Sequence, residues 1–389
     1  MATSGTSTHH RDEEELRWVR RALGGPGTGR SQRYLVRPSL ARPEILLPLE
    51  HRASTGTAMR RYHDDRSIKQ RLVGLAGQSA ARLGVLAMAG GDKVALEPFA
   101  LVEHLARVLG EPNLVAVVSL GPRRRNRKPV LQLLRPDGVS VGFVKVGWSG
   151  LTSELITNEG RWLRHVEGRL PPDLRAPIVL WEEHLEQEGG AVDVVVTSPV
   201  RTTITSRRRT PLAASSLAQL ARIGSGGAVS VAESELLANW RKGPLADAVD
   251  LDRLTERHGS ATIETGLWHG DLTPWNTATN GGVTAVWDWE FAGTGRPVGF
   301  DALHIAFEMV RRTAPDNEQA ALDAVIGQAD ALLRDIPGPP ITSSTDAVVD
   351  LYLCELLARE LRLAGEGWRP EHLGVLDTRV LAELTQRLA

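Results

Sequence analysis

The amino-acid sequence predicts an α+β protein in which strands dominate the middle of the chain and helices dominate its last part. Apolar runs rich in β-branched residues, separated by turn residues, recur from Leu114 to Val196, and such runs are typical of strands. From Asn317 onward, apolar residues recur at intervals of three and four, which is the period of amphipathic helices. A chain of 389 residues is long enough for two or three domains.

Composition is that of an ordinary globular protein and argues against two classes of partner. Charged residues make up 24% and apolar residues 42% of the sequence, which are typical values. A net charge of −1 leaves no excess of Lys and Arg to displace the counterions of nucleic acid. No apolar run approaches the roughly 20 residues of a membrane helix. We therefore expect neither a nucleic-acid partner nor a membrane partner.

The N-terminus and the single cysteine predict a cytoplasmic location. The first ten residues lack the basic start and the apolar core of a secretory signal. Cys354 is the only cysteine, so an internal disulfide is impossible, which fits a reducing compartment.

Residues 1–112 carry no chemical motif and are interpreted as an N-terminal extension. Its tail, residues 1–12, is polar and is predicted to be disordered. The extension is expected to cap the following domain, either by lengthening its sheet or by covering its helix. Strands are predicted at 34–37 and 44–48, and helices at 13–23, 53–62, 68–83 and 99–109.

A strand-rich region with one helix follows the extension. Lys145 lies between two Val residues near the end of its third strand. Because burying an unpaired ammonium group is costly, a lysine at this position indicates that its side chain has a partner. The predicted strands are 114–120, 129–134, 139–146, 177–181 and 191–196, and the helix is 153–166. Further helices are predicted at 212–223, 231–241, 251–258, 317–334, 346–363 and 377–388.

The chemistry is concentrated in the stretch from 267 to 290. It contains His269-x-Asp271-x-x-x-x-Asn276, followed by an apolar strand that ends in Asp288. Two carboxylates and a carboxamide are hard oxygen ligands that suit Mg²⁺, which leaves its other positions to water and phosphates. In phosphoryl transfer one Asp accepts the proton of the attacking hydroxyl, while Asn and a second Asp hold metal against the nucleotide. The alternative is a polar loop that carries these residues by chance.

This stretch resembles the catalytic loop and the metal-binding Asp of the aminoglycoside phosphotransferase and choline kinase-like family, which is related to the protein kinases. That family commonly has His-Gly-Asp-x-x-Pro-x-Asn and then Ile-Asp-Trp. This chain has His-Gly-Asp-Leu-Thr-Pro-Trp-Asn at 269–276 and Val-Trp-Asp-Trp at 286–289. The resemblance covers roughly 114–307. It implies a bilobal protein-kinase-like fold with a β-rich N-lobe at 113–200, a hinge near 197–200, and a helical C-lobe at 201–389 that holds the catalytic loop and acceptor site.

The resemblance implies a role for each residue of the motif. Asp271 would be the catalytic base, and Asn276 and Asp288 would hold Mg²⁺. His269 would fix the loop rather than react. Asp301 would be a structural anchor, and its local position also suits the N-cap of the helix that follows.

In the N-lobe, the resemblance implies residues that bind the nucleotide, ATP or GTP. Lys145 would hold the α- and β-phosphates and pair with Glu159. Glu154 is the competing partner, and Glu159 is preferred because the pattern Asn-Glu-x-x-x-Leu matches the family's helix better. The backbone of the hinge, at Ser198 and Val200, would contact the base of the nucleotide.

Other features depart from the family's pattern or leave alternatives open. The basic segment 121–128 stands where a glycine-rich phosphate loop is expected, so its side chains either bind phosphate or form a solvated hairpin tip. The family often has His and Gly at the positions of Thr273 and Trp275, which puts the acceptor contacts in doubt. Trp275 is a candidate to stack on the acceptor. Glu290 is a further metal ligand, an acceptor contact or a solvated strand end.

The function implied is a phosphotransferase, dependent on ATP (or GTP) and Mg²⁺, that acts on a hydroxyl of a small molecule such as an aminoglycoside, sugar, nucleoside or amino alcohol. One alternative is a catalytically silent kinase-like module that binds nucleotide or a partner, favoured by the atypical phosphate loop and disfavoured by the intact Asp-Asn-Asp set. A protein kinase is disfavoured because no Asp-Phe-Gly/Ala-Pro-Glu segment follows Asp288.

Overall fold

The computed structural model contains two compact units. One unit comprises residues 1–160 and 177–201, and the other comprises 161–176 and 202–389. The structure describes residues 16–64, 68–87, 90–121, 125–187, 190–200, 207–208, 212–224, 226–314, 317–336, 344–365 and 374–389. The predicted disordered tail, 1–12, lies outside these ranges.

Strands and helices are numbered in chain order over the described residues. The strands are β1 (Gln32–Ser39), β2 (Arg42–Pro48), β3 (Lys93–Leu96), β4 (Val115–Ser119), β5 (Val130–Leu134), β6 (Ser140–Gly147), β7 (Leu174–Arg175), β8 (Val179–Leu185), β9 (Val192–Thr197), β10 (Arg207–Arg208), β11 (Gly227–Ser230), β12 (Thr262–Trp268), β13 (Thr277–Asn280), β14 (Val283–Val286) and β15 (Gly293–Pro297). The helices are α1 (described over 16–22), α2 (Arg52–Asp64), α3 (Ile68–Arg82), α4 (Ala100–Val108), α5 (Gly150–Val166), α6 (Ala214–Ala221), α7 (Glu235–Trp240), α8 (Leu251–His258), α9 (Phe300–Thr313), α10 (Glu318–Arg334), α11 (Thr345–Ala364) and α12 (Val375–Leu388), with 3-10 turns at Val85–Ala87, Val231–Glu233 and Pro244–Asp247.

An antiparallel sheet organises the first unit. Its strand order over the described residues is β3-β1-β2-β4-β5-β6-β9-β8, and each neighbouring pair is antiparallel. Strands β1 to β3 come from the N-terminal extension, and β2 pairs with β4. The extension therefore lengthens the sheet of the region that follows it.

Apolar packing lies on both faces of this sheet, on the second face over β1, β2, β4 and β5. On one face, buried residues of α1 and α4, such as Val19 and Leu105, share a core with Val118, Val144 and Val196 of the strands. A second cluster packs side chains of α2 and α3 against alternate residues of β1, β2, β4 and β5. Side chains alternate between the two faces along a strand, so Lys145 points away from the core that holds its neighbour Val144.

Helices dominate the second unit, whose largest core joins α6 to α12 with β12. Two small sheets, of strand orders β10-β13-β14-β7 and β11-β12-β15, accompany them. A strand-rich unit and a helix-rich unit together confirm the predicted α+β class. Among the described residues, no helix is both long and apolar enough to span a membrane.

Most predicted elements are present, but the helix predicted at 231–241 is wrong, and some strands were not predicted. The helix predicted at 231–241 is divided into a 3-10 turn and α7. The division occurs at Ser234, whose side chain accepts a hydrogen bond from Leu237 N–H and so starts a new helix. Strand β3 was not predicted, because of its four residues only Leu96 is buried, which is too weak a pattern to recognise.

Candidate active site

The loop 269–276 begins where β12 ends, and its first turn requires glycine. Gly270 has a φ of 85°, in the left-handed region that glycine adopts without a steric penalty. A Cβ on Gly270 would also lie closer to the carbonyl oxygen and Cβ of Phe291 than real Cβ atoms come. The His-Gly-Asp sequence is therefore a requirement of the backbone here, and it sets the direction in which Asp271 leaves the turn.

Asp301 anchors this turn from α9. Its Oδ2 accepts a hydrogen bond of 3.0 Å from His269 N–H. Burial raises the pKa of Asp301 to about 7, although the backbone N–H groups of His269 and Gly270 act to lower it. The N-cap role is wrong, because α9 begins at Phe300 and its N-cap is Gly299. The Asp301 carboxylate thus binds the backbone of the loop and does not cap its own helix.

His269 is fully buried and holds the loop from inside. Its Nδ1 accepts a hydrogen bond of 3.2 Å from Asp271 N–H, and its ring centroid lies 4.5 Å from that of Trp289. These contacts fit the structural role that the resemblance implies for His269.

Asp271 and Asn276 are joined directly. The Asn276 Nδ2 donates to the Asp271 backbone oxygen and to Asp271 Oδ2, each at 2.9 Å. Because Nδ2 faces Asp271, the carboxamide oxygen Oδ1 is turned away from that carboxylate. Burial, and next the charge of Asp288, raise the pKa of Asp271 to about 7, while Arg359 opposes the shift.

The hairpin β13–β14 brings Asp288 back beside Asn276. Thr277 pairs with Val286, and Trp287 N–H donates to the Asn276 oxygen at 3.1 Å. Strand β14 ends at Val286, so the expectation that the strand ends in Asp288 is wrong. Asp288 instead adopts a φ of 72° in the turn that follows.

Glu290 lies beside Asp288. A carboxylate oxygen of each residue lies within 4.8 Å of one from the other. Glu290 is 5% exposed, which excludes the solvated strand end and leaves the metal-ligand and acceptor alternatives. Trp289 between them is buried and donates its indole N–H to the Val286 oxygen, so its role is packing.

The first unit contains the lysine–glutamate pair. Lys145 Nζ lies 2.5 Å from Glu159 Oε2, and the Glu159 side chain is only 4% exposed. Glu154 on the same helix, α5, is exposed. The pairing with Glu159 is therefore present, whereas its contact with nucleotide stays a prediction.

The predicted hinge is tied to the neighbouring strand. Ser198 N–H donates to the Ile178 oxygen at 2.8 Å, and Ile178 N–H donates to Ser198 Oγ at 2.9 Å. Val200 is half-buried. The Ser198 N–H already has an acceptor. Recognition of the nucleotide base at Ser198 would therefore have to use another group of Ser198.

The basic segment 121–128 is only partly described, because Arg123 and Arg124 lie outside the described residues. The Arg127 guanidinium donates to the backbone oxygens of Leu120 and Pro43 at 3.3 and 3.0 Å, and it lies 5.2 Å from the ring of Trp18. Arg127 therefore links two backbone segments of the first unit. This role differs from both the phosphate contact and the solvated tip proposed for the segment.

Comparison with known proteins gives the family. The model of the phosphotransferase enzyme family (APH) matches residues 143–340, just over half of the chain. The chain belongs to this family. It is therefore a phosphotransferase enzyme, and the resemblance seen in the sequence is confirmed. No curated protein matches the chain.

Solved structures of other phosphotransferases are similar to the chain at low identity. A thermostable mutant of aminoglycoside phosphotransferase APH(4)-Ia, in a ternary complex with AMP-PNP and hygromycin B, is 14% identical over 75% of this chain and 98% of its own, with a TM-score of 0.45. A choline/ethanolamine kinase family protein from Mesorhizobium loti is 15% identical over 74% and 97%, with a TM-score of 0.33. A glucosamine kinase is 15% identical over 76% and 87%, with a TM-score of 0.35.

The phosphotransferase has residues beside the loop 269–276 that the motif does not reveal. The buried His304 of α9 places Nε2 3.5 Å from Asp271 Oδ1 and Nδ1 3.0 Å from the Tyr352 hydroxyl. Arg359 of α11 donates to the Gly270 oxygen at 2.8 Å. Asp301 and His304 are three residues apart on one helix face, so the position of Asp301 was a usable signal for His304. Nothing local signals Arg359.

Trp275 lies on the outer side of the loop, half-buried. The Arg312 guanidinium, from the last turn of α9, is 4.6 Å from the centroid of its ring, within the range of a cation–π contact. This contact fixes one face of the indole, so an acceptor that stacks on Trp275 would use the other face.

Proposed function

We propose that this phosphotransferase transfers the γ-phosphoryl group of ATP or GTP, with Mg²⁺, to a hydroxyl of a small molecule such as an aminoglycoside, sugar, nucleoside or amino alcohol. The observation that carries the proposal is the convergence of Asp271, Asn276 and Asp288 on one loop and hairpin. Asp271 touches Asn276, and the charge of Asp288 acts on Asp271. Family membership supports the reaction class.

The donor set fits Mg²⁺. Asn276 uses its Nδ2 on Asp271 and so has its carboxamide oxygen available for a cation. Asp288 offers a carboxylate, and Glu290 adds a second one within 4.8 Å. Hard oxygen ligands of this kind suit Mg²⁺. When bound, the ion would neutralise charge on the nucleotide phosphates.

Asp271 is the base in this proposal. The acceptor hydroxyl attacks the γ-phosphorus, an O–P bond forms, the bond from the γ-phosphorus to the bridging oxygen breaks, and the hydroxyl proton goes to Asp271. Asn276 holds one carboxylate oxygen by its Nδ2, which orients the base. A pKa raised toward neutrality suits a group that must accept a proton at neutral pH.

Lys145 is the residue proposed to hold the α- and β-phosphates. Its ion pair with the buried Glu159 fixes the ammonium group, which otherwise ends a flexible four-carbon chain. A fixed ammonium aligns the phosphate chain, and alignment together with charge stabilisation supplies most of the catalysis in phosphoryl transfer.

The test is a nucleotide-consumption assay with ATP and with GTP against a library of aminoglycosides, sugars, nucleosides and amino alcohols, in the parent and in Asp271→Asn. With an identified acceptor, Asp271→Asn should lower turnover about 10²- to 10⁴-fold, the usual contribution of a general base, and keep nucleotide affinity. An asparagine can still present its oxygen to Asn276 Nδ2, so the loop is preserved. Parental turnover in the variant would remove Asp271 from the base role. Nucleotide binding without turnover on any of these acceptors would contradict the proposed acceptor classes.

A further inference from the structure

His304 and Tyr352 are buried polar residues in the core of the second unit, and the catalytic scheme above does not use them. Both are 0% exposed. His304 Nδ1 lies 3.0 Å from the Tyr352 hydroxyl, and the rings lie edge to face, 6.2 Å apart. The other ring nitrogen, Nε2, faces Asp271 Oδ1 at 3.5 Å. A line of polar atoms thus runs from α11 through α9 to the carboxylate of the proposed base.

The direction of the hydrogen bonds follows from the number of donors. Burial lowers the pKa of His304 to about 3, so the imidazole is neutral and carries one N–H. If that proton were on Nδ1, the Tyr352 hydroxyl would accept it and, among the described residues, would have no acceptor of its own. The lone pair of Nε2 would also face a carboxylate oxygen. A buried donor without an acceptor is costly. The proton therefore belongs on Nε2, with Tyr352 donating to Nδ1.

We propose that Tyr352 and His304 form a buried relay that positions the Asp271 carboxylate, with the His304 Nε2–H donating to Oδ1. Asn276 Nδ2 holds the other oxygen, Oδ2, at 2.9 Å. With a donor on each oxygen, the carboxylate plane is fixed. His304 and Tyr352 are positioning residues, since neither touches the reacting atoms. The relay rests on the proposed role of Asp271 as base.

The distance of 3.5 Å between His304 Nε2 and Asp271 Oδ1 is longer than the usual N–H···O hydrogen bond, and His304 Nε2 makes no hydrogen bond to the residues that the structure describes. Hydrogen bonds of catalytic groups are often long before substrate binds, and they shorten in the reactive complex. The anchors on both sides restrict how the gap closes. Asp301 holds the loop through His269 N–H, and Arg359 holds it through the Gly270 oxygen. The backbone of the loop is thus held in place, and in the proposal it is the side chain of Asp271 that moves to complete the contact.

The kinetic test compares His304→Leu with His258→Leu, which makes the same change at another buried histidine of this unit. His258 Nε2 pairs with Asp350 Oδ2 at 2.8 Å and takes no part in the relay. His304→Leu should lower kcat about 100-fold, the order of loss expected for a misplaced catalytic group, and leave the nucleotide KM within about twofold. His258→Leu, compared per folded molecule, should lower stability and keep kcat.

Two further measurements complete the test: the recovery of kcat in a second variant, and the tautomer of His304 in the parent. His304→Gln should recover most of kcat, because its amide N–H₂ can donate to Asp271 while its oxygen accepts from Tyr352. Nitrogen-15 shifts of the labelled histidines in the parent should show His304 protonated on Nε2, and Tyr352→Phe should disturb that state. This measurement needs no turnover, so it decides the matter even if His304→Leu does not fold.

Protonation on Nδ1, or a parental kcat in folded His304→Leu, would overturn the relay. The proposed function fails in a different way: parental turnover of Asp271→Asn would remove Asp271 as base, whatever the tautomer of His304.

Discussion

Asp288 has a φ of 72°, in the left-handed region where Asp and Asn are the side chains most often accepted besides glycine. Asp288 lies two residues after the end of β14 and supplies the second carboxylate of the candidate site. The backbone thus favours Asp or Asn at this position, and the proposed metal role then favours the charged member of the pair. The two requirements can be separated by substitution.

The separating pair is Asp288→Asn and Asp288→Ala. Both remove the carboxylate, so both should weaken Mg²⁺-dependent nucleotide binding, because a doubly charged ion loses an anionic ligand. Asn keeps the left-handed turn, whereas Ala should cost about 1–2 kcal/mol of folding free energy. Calorimetry with and without Mg²⁺ measures the first effect, and urea unfolding measures the second. Equal affinity for the metal–nucleotide complex in parent and both variants would exclude Asp288 from the metal site.

At the scale of elements, β12 leads into the loop 269–276 and packs very closely against α6. A Cβ on Gly266 of β12 would lie far inside contact distance of the Ala221 carbonyl oxygen at the end of α6. The register of β12 with β15 also shifts between Gly266 and Trp268. The glycine therefore permits a close approach of backbone to helix, immediately before the loop at 269–276.

Gly266→Ala should force β12 and α6 apart. Overpacking of this kind typically costs about 1–3 kcal/mol and sometimes more, and we expect the upper end, because a backbone carbonyl cannot rotate away as a side chain does. The matched control is Gly327→Ala on the exposed face of α10, where a Cβ meets nothing within 4 Å. The control should stabilise by about 0.5–1 kcal/mol. Urea unfolding of the two variants gives the comparison, and equal shifts would contradict the close approach.

The elements that the sequence predicted correctly are those with local signals. Long helices such as α10 and α11 have apolar residues at helical spacing, and strands β4 to β6 are apolar runs bounded by turns. Several of the missed strands are short and pair with strands far away in the sequence, whereas β12, which was also missed, has seven residues. Strand β7, for instance, has two residues and pairs in parallel with β14. No pattern in two residues predicts a strand.

The same division holds for the site. Asp271, Asn276 and Asp288 lie within one short stretch, so their spacing could be read directly from the sequence. Arg359 reaches the loop across 89 positions, and Tyr352 reaches His304 across 48. Contacts of that separation depend on how the helices of the second unit pack, and a single sequence holds no signal for it.

At the scale of the whole molecule, the family match begins at residue 143, inside β6, although the sheet of the first unit begins far earlier in the chain. Strands β1 to β3 continue the same sheet, and Leu105 of α4 shares a core with Val144 of β6. The extension therefore contributes to the hydrophobic core beneath the strand that carries Lys145. Because the extension shares this core, we expect it to take part in the folding of the strands β4 to β6.

The core that α4 shares with β1, β2 and β4 to β6 predicts that the extension and these strands unfold together. Leu105→Ala, at a residue with no exposed surface, should cost about 2–5 kcal/mol. Because the core is shared, amide protection from hydrogen exchange should fall in β5 and β6 as much as in β1 and β2. The matched control is Leu83→Ala, at a side chain that is 74% exposed, and it should change stability by no more than about 0.5 kcal/mol. If β5 and β6 kept their protection in Leu105→Ala while β1 and β2 lost it, the extension would be a separate folding unit.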